Sequence, residues 1–159
     1  IRDSYDERIK ALITEHTGAP AYTSAEAIGA AARALGTRKI ALVSPYSDQV
    51  IGQAKNYFEA DCALEVVAME GFGATDAYAI GTLDESHAVD AFDSPEIEAL
   101  VVPGGNFPTM RHIASWEARF EKSVITTNQV VLWSMMANLG VKDPIAGHGR
   151  LLAEVPDWA

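Results

Sequence analysis

The stretch Ile40-Ala41-Leu42-Val43-Ser44-Pro45-Tyr46-Ser47-Asp48 decides the fold. Its first four residues are apolar without alternation, the pattern of a strand covered by helices on both faces. Ser44-Pro45-Tyr46 breaks the run with a turn. From about Asp48 the spacing predicts a helix with Val50, Ile51, Ala54, Tyr57 and Phe58 on its inner side.

Working outward, the same order recurs. Leu64 to Met69, Ala99-Leu100-Val101-Val102 and Val124-Ile125-Thr126 read as three further strands. A helix is expected near Glu85 to Phe92, and another from Pro108, a residue suited to a first helical turn, carrying Met110, Ile113, Ala114 and Phe120. The last helix, about Asn128 to Leu139, is apolar nearly all round, which predicts burial with Trp133 and Met135 in the core. Toward the N-terminus, Ser4 with Glu7 and Thr23 with Glu26 make two capping boxes, for helices that end at Gly18 and Gly36. Strand–helix alternation with short loops implies right-handed crossovers. The expected fold class is α/β: a three-layer α/β/α arrangement around a four-stranded parallel sheet.

The 159 residues suffice for one domain with a sizeable core. Twelve Lys and Arg against 22 Asp and Glu give a net charge of −10, with the cations scattered. Such a surface repels phosphate backbones and anionic lipid, which argues against nucleic-acid and membrane partners. No apolar run has the length of a membrane span, and the opening Ile1-Arg2-Asp3-Ser4-Tyr5-Asp6 does not read as a signal peptide, so a cytoplasmic protein is expected. A single cysteine, Cys62, excludes an internal disulfide. The four histidines show no HxxxH or HxH spacing, so no metal site is expected.

In open parallel sheets ligands bind beyond the carboxyl ends of the strands. Those ends read Ser44-Pro45-Tyr46, Gly71-Phe72-Gly73, Pro103-Gly104-Gly105-Asn106 and Thr126-Thr127-Asn128-Gln129. They are rich in glycine, hydroxyls and carboxamides and contain no Lys or Arg. Three lead toward a helix N-terminus, where free N–H groups favour an anion. Neutral donors of this kind suit a small carboxylate, with Ser44, Pro45, Gly104, Gly105, Asn106, Thr127 and Asn128 as the candidate substrate-binding residues. Glycine and asparagine also occur at such turns for conformational reasons alone.

Other motifs fail. Gly71-Phe72-Gly73-Ala74-Thr75-Asp76 begins like a dinucleotide fingerprint but lacks its third glycine, and neither a phosphate loop nor a GxSxG elbow is present. No cofactor is expected. Cys62, between a helix and a strand, reads as packing, and His148, between Gly147 and Gly149, as a loop histidine.

Thr23-Ser24-Ala25, Ser44-Pro45-Tyr46-Ser47-Asp48, Ile80-Gly81, Thr127-Asn128-Gln129 with Trp133, and Gly147-His148-Gly149-Arg150-Leu151-Leu152 occur in matching order. Together they resemble the maleate isomerase and arylmalonate decarboxylase branch of the aspartate/glutamate racemase superfamily, from about Tyr5 onward. The resemblance implies a two-lobed protein with the ligand between the lobes. Residues 1–22 would be a remnant of the first lobe, 23–127 the complete second lobe, and 128–159 a helix and tail returning to the first. It implies a cofactor-independent isomerase, racemase or decarboxylase of small carboxylic or dicarboxylic acids, forming homo-oligomers. Tyr46 corresponds to the tyrosine lining the cleft and is the candidate catalytic residue; Asn106 corresponds to the polar residue after the second cysteine.

Two departures stand out. Gly104 occupies the expected position of the second-lobe cysteine, and Ala77 follows Asp76 where an asparagine is frequent. A two-base racemase needs a proton donor and an acceptor on opposite faces of the substrate. At most a single-cysteine reaction is therefore expected. The alternative is a catalytically inactive member that binds an acidic metabolite.

Overall fold

The computed structural model of the chain describes residues 5–74, 76–81, 94–154 and 157. The elements run α1 (Tyr5–Thr17), α2 (Ser24–Ala34), β1 (Lys39–Ser44), α3 (Asp48–Asp61), β2 (Glu65–Gly71), α4 (Ala77–Gly81), β3 (Ala99–Val102), α5 (Ile113–Phe120), β4 (Ser123–Thr126), α6 (Thr127–Asn138) and α7 (Arg150–Glu154). The four strands form one sheet in the order β2-β1-β3-β4, and every pairing is parallel. The α/β/α expectation holds.

The apolar run that opened the argument explains the layering. Ile40, Ala41, Leu42 and Val43 are all fully buried, and alternate residues enter different cores. Ile40 and Leu42 pack with Ile28, Ile51, Phe58, Trp133 and Leu151 from α2, α3, α6 and α7. Ala41 and Val43 pack on the other face with Ile80, Phe107, Ile113 and Trp116. A strand with two dry faces has no use for polar alternation.

The Thr23–Glu26 capping box is present: Thr23 Oγ1 accepts from Glu26 N–H at 3.2 Å and Glu26 Oε2 accepts from Thr23 N–H at 3.4 Å. α1 buries no residue. Polar contacts tie it to α2 instead, Lys10 pairing with Glu26 at 2.7 Å and Thr23 Oγ1 donating to Asp6 Oδ2 at 3.0 Å.

Three expectations need correction. The helix predicted from Pro108 starts only at Ile113; Thr109 N–H bonds Phe107 O and His112 N–H bonds Thr109 O, so residues 107–112 form successive turns. Ala114 is exposed rather than inward. On α6, Trp133 is buried as expected, but Met135 is 56% exposed and Leu139, just beyond the helix, 75%. Ser4 of the other capping box and the helix expected near Glu85 to Phe92 lie outside the described residues. No helix among the described residues is long and apolar enough to cross a membrane.

Candidate functional site

Register aligns the carboxyl ends of the strands on one edge: Ser44 opposite Gly71, and Val102 opposite Thr126. The chain leaves β1 toward β2 on one side and returns to β3 on the other, so a topological switch point falls between β1 and β3. A cleft of about 360 Å³ opens there. Tyr46, Gly104, Gly105 and Thr127 line it, together with Pro103, the α2 N-terminus at Ser24 and Ala25, Ile28, and Val50, Gln53, Ala54, Tyr57 and Phe58 of α3.

The remaining sequence-derived candidates stand behind or beside this cleft. Ser44 is fully buried; its Oγ donates to Pro103 O at 3.2 Å and accepts from Tyr46 N–H at 3.4 Å, tying the β1 turn to the β3 turn. Pro45 is buried against Gly104. Asn128 Nδ2 donates to Gly105 O at 3.0 Å, bracing the loop from outside. Asn106 is exposed and does not line the cleft.

Gly104 has φ +144°, and a Cβ there would lie 2.9 Å from Pro45 Cγ and 3.0 Å from Pro45 Cδ. The backbone at 104 therefore has no room for a side chain, and a thiol could not be introduced there without displacing the Pro45 ring. Its N–H is also engaged, donating to Thr127 Oγ1 at 2.9 Å. Gly104 thus shapes the wall and does not donate to a ligand. Gly105 is exposed and an added Cβ would meet nothing closer than 3.8 Å.

Electrostatically the cleft is neutral. None of its lining residues is charged, and none is a cysteine or histidine. Its two ionisable groups are the phenols of Tyr46 and Tyr57. Burial, followed by hydrogen bonding to the Asp6 carboxylate, pushes Tyr57 well above the usual tyrosine range, so it stays protonated. What remains to hold a ligand is hydroxyls, the Gln53 carboxamide, backbone N–H groups and the first turns of α2 and α6. That donor set suits a small carboxylate. Thr126, at the end of β4, is fully buried and stands at the N-cap of α6, its N–H donating to Gln129 Oε1 at 3.2 Å.

Cys62 does not line the cleft, although its thiol lies beside Tyr57, which does. It is the C-cap residue of α3, buried against α2 so closely that a Cβ on Gly29 would come within 2.5 Å of its Sγ. Burial pushes its thiol up, away from the reactive thiolate. His148 does not line the cleft either: its Nδ1 faces Met110 O at 3.3 Å, and its carbonyl accepts from the buried Gln129 Nε2 at 2.8 Å. The Gly147–Leu152 motif closes the tail onto the domain, with Glu117 accepting from Arg150 N–H at 2.8 Å and Val124 N–H at 3.1 Å. Burial raises the Glu117 carboxyl above the usual range despite those two bonds. Among the described residues no group of three or more His, Cys, Asp or Glu is placed to hold a metal ion.

The α3 residues of the cleft were visible in the sequence but assigned to the core. Val50, Ala54, Tyr57 and Phe58 make an apolar stripe at helical spacing, which looks the same whether it faces a core or a ligand. Ser24 and Ala25 entered only through the family resemblance, and Gln53 carried no signal.

The geometry agrees with known proteins. The arylmalonate decarboxylase of Bordetella bronchiseptica is 27% identical over 158 residues, covering 95% of this chain and 65% of that protein. The crystal structure of the maleate isomerase Iso from Pseudomonas putida S16 superposes with a TM-score of 0.84 at 26% identity, over 94% of this chain and 62% of that one. A crystal structure of arylmalonate decarboxylase gives a TM-score of 0.83 at 25% identity, over 96% of this chain and 70% of the other. The chain thus spans about two thirds of the length of these relatives. The expected branch is borne out, and with the family profile matched across residues 2–152 the chain belongs to the arylmalonate decarboxylase family.

Proposed function

We propose that this chain forms one wall of a cofactor-independent enzyme that isomerises or decarboxylates a small carboxylic or dicarboxylic acid. The observation that carries this reading is the neutral, hydroxyl-rich cleft at the β1/β3 switch point of a decarboxylase-family fold. Tyr46, Thr127 and Gly105 would hold one carboxylate, and their dipoles would stabilise the negative charge that develops on it when the α-carbon loses CO₂ or a proton. The cleft lining holds no carboxyl, imidazole, amine or thiol, so the acid–base group would come from residues outside this sequence, across the open side of the cleft. The chemistry would then be one-sided, as expected where Gly104 offers no thiol.

The same reading extends to organisation. Residues 23–127 would be a complete lobe, and the exposed side of α6 with the tail would pack on a first lobe of which residues 1–22 are the end. The protein would be cytoplasmic and homo-oligomeric.

Incubation of the protein with its opposite lobe present, with maleate and with phenylmalonate in D₂O, followed by NMR, tests the proposal. Fumarate or deuterated phenylacetate is expected. Tyr46→Phe should weaken binding by about 1.5–3 kcal/mol if its hydroxyl bonds a charged oxygen. Binding without turnover would support the inactive alternative, and failure of either acid to bind would overturn the site.

A further inference from the structure

We infer that Gln129 is a positioning residue of the cleft, through which the turn at 147–150 sets the wall formed by Thr127 and the Gly104–Gly105 loop. This deepens the proposed function and rests on the same site. Gln129 is fully buried although it carries a carboxamide, and both ends of that group are used. Its Oε1 accepts from Thr126 N–H at 3.2 Å, and its Nε2 donates to His148 O at 2.8 Å. These partners fix its orientation, since a carbonyl oxygen cannot bond a carbonyl nor an N–H another N–H. The two residues before it face the other way. Thr127 Oγ1 accepts from Gly104 N–H at 2.9 Å, and Asn128 Nδ2 donates to Gly105 O at 3.0 Å. The first turn of α6 thus holds the β3 turn with two residues and the tail with a third.

The tail is shaped to meet that carboxamide. Gly149 has φ +85°, and a Cβ there would lie 2.8 Å from Gln129 Nε2 and 2.4 Å from Ile113 Cγ2. Only glycine lets the backbone approach so closely. The turn is then held from its far side. Arg150 N–H donates to Glu117 Oε2 at 2.8 Å and Arg150 Nη1 to Ser123 Oγ at 3.2 Å, while Leu151 and Leu152 are fully buried. Burying a carboxamide costs desolvation that an apolar side chain of similar length avoids. What the amide adds is direction: it fixes the N-cap of α6 against an anchored turn. Thr127 follows that cap directly, so a shift of the cap moves a residue that lines the cleft.

Gln129→Met, of similar length but without the amide, tests the inference by two readouts. In hydrogen exchange followed by NMR, the Gly104 amide should exchange at least about tenfold faster than in wild type, while that of Leu42 in β1 is unchanged. In turnover, measured with the opposite lobe present on whichever of maleate and phenylmalonate the protein converts, kcat should fall by about ten- to a hundredfold with KM within about threefold. Charge developing in the transition state depends on the geometry of the wall more than ground-state binding does. A Gln129→Met/Thr127→Val protein should be no slower than Thr127→Val alone, since Gln129 acts through Thr127. Wild-type exchange at Gly104 in a folded Gln129→Met protein, or a rate loss that adds in full to that of Thr127→Val, would overturn the inference. If Gln129→Met does not fold, native-state exchange of the wild type decides. The Gly104, Thr126 and Arg150 amides should then share one opening equilibrium and one urea dependence; an Arg150 amide that opens alone, while the other two stay protected, would overturn the coupling. If the wild type converts neither acid, the proposed function falls, and the exchange readout decides this inference by itself.

Discussion

Two adjacent glycines should respond oppositely to substitution. Gly104→Cys places a side chain where φ is +144° and where its Cβ would sit 2.9 and 3.0 Å from the Pro45 ring. Backbone strain in such a region costs about 1–3 kcal/mol. Pushing a buried proline ring aside costs about 1–3 kcal/mol more. The sum, about 2–6 kcal/mol, is a large part of the roughly 5–15 kcal/mol that holds a domain folded. Gly105→Ala adds a Cβ in exposed backbone with nothing closer than 3.8 Å, and should change stability by no more than about 0.5 kcal/mol. Urea unfolding followed by circular dichroism measures both. With a slope of about 2 kcal/mol per molar, the midpoint of Gly104→Cys should fall by about 1–3 M while that of Gly105→Ala stays put. A Gly104→Cys protein as stable as wild type would refute the close approach of Pro45. A racemase gained by that substitution would refute it too.

Two further outcomes follow from buried groups. Native Cys62 should not react with a thiol reagent such as DTNB until urea unfolds the chain, since burial both shields the thiol and holds its pKa up; rapid labelling of the native protein would contradict this. Glu117 has a folded pKa above its unfolded value, so its contribution to stability is fully present below the unfolded pKa and declines as pH rises through the raised one. Glu117→Gln also leaves a backbone donor at Val124 or Arg150 less well served, a loss of about 1–3 kcal/mol. The stability deficit of Glu117→Gln should therefore be larger near pH 4 than near pH 7, and a deficit that grows with pH would reverse the assignment.

β1 and β3 were legible because alternation disappears when both faces are dry, as in their fully buried apolar runs; the edge strand β2, with Val66 its one buried residue, was marked by β-branched residues and position, and parallel pairing followed from the intervening helices. Periodicity was less informative for the helices. It marks the apolar side of α3 or α6 without saying what covers it, so Val50 and Met135 were assigned to a core that does not receive them. Pro108 satisfied the preference for a first helical turn, yet the turns at 107–112 delayed α5 by five residues, a tertiary effect of Phe107 and Thr109 seating in the interior. Strand-end logic found Tyr46, Gly105 and Thr127. It could not separate the residues that face the cleft from Ser44 and Asn128, which secure it, because that depends on side-chain direction within a turn. The left-handed backbone at Gly104 was equally invisible, since glycine is permitted there and at ordinary angles alike.

The turn that carries Tyr46 has a companion. Beyond β2 the chain keeps pairing with it: Phe72 N–H bonds Ser44 O at 3.0 Å, Ala74 N–H bonds Pro45 O at 2.8 Å and Gly73 N–H bonds Tyr46 O at 3.1 Å. Gly71 permits the contact, since a Cβ there would lie 2.6 Å from Tyr46 O. Residues 44–46 and 71–74 are thus a single mechanical part built from two distant pieces of chain. An insertion after β2, ordinarily the kind of loop change a domain absorbs, would be felt at the tyrosine. A graft that aims to move this loop into a relative must carry both segments together, or the phenol will arrive without its support.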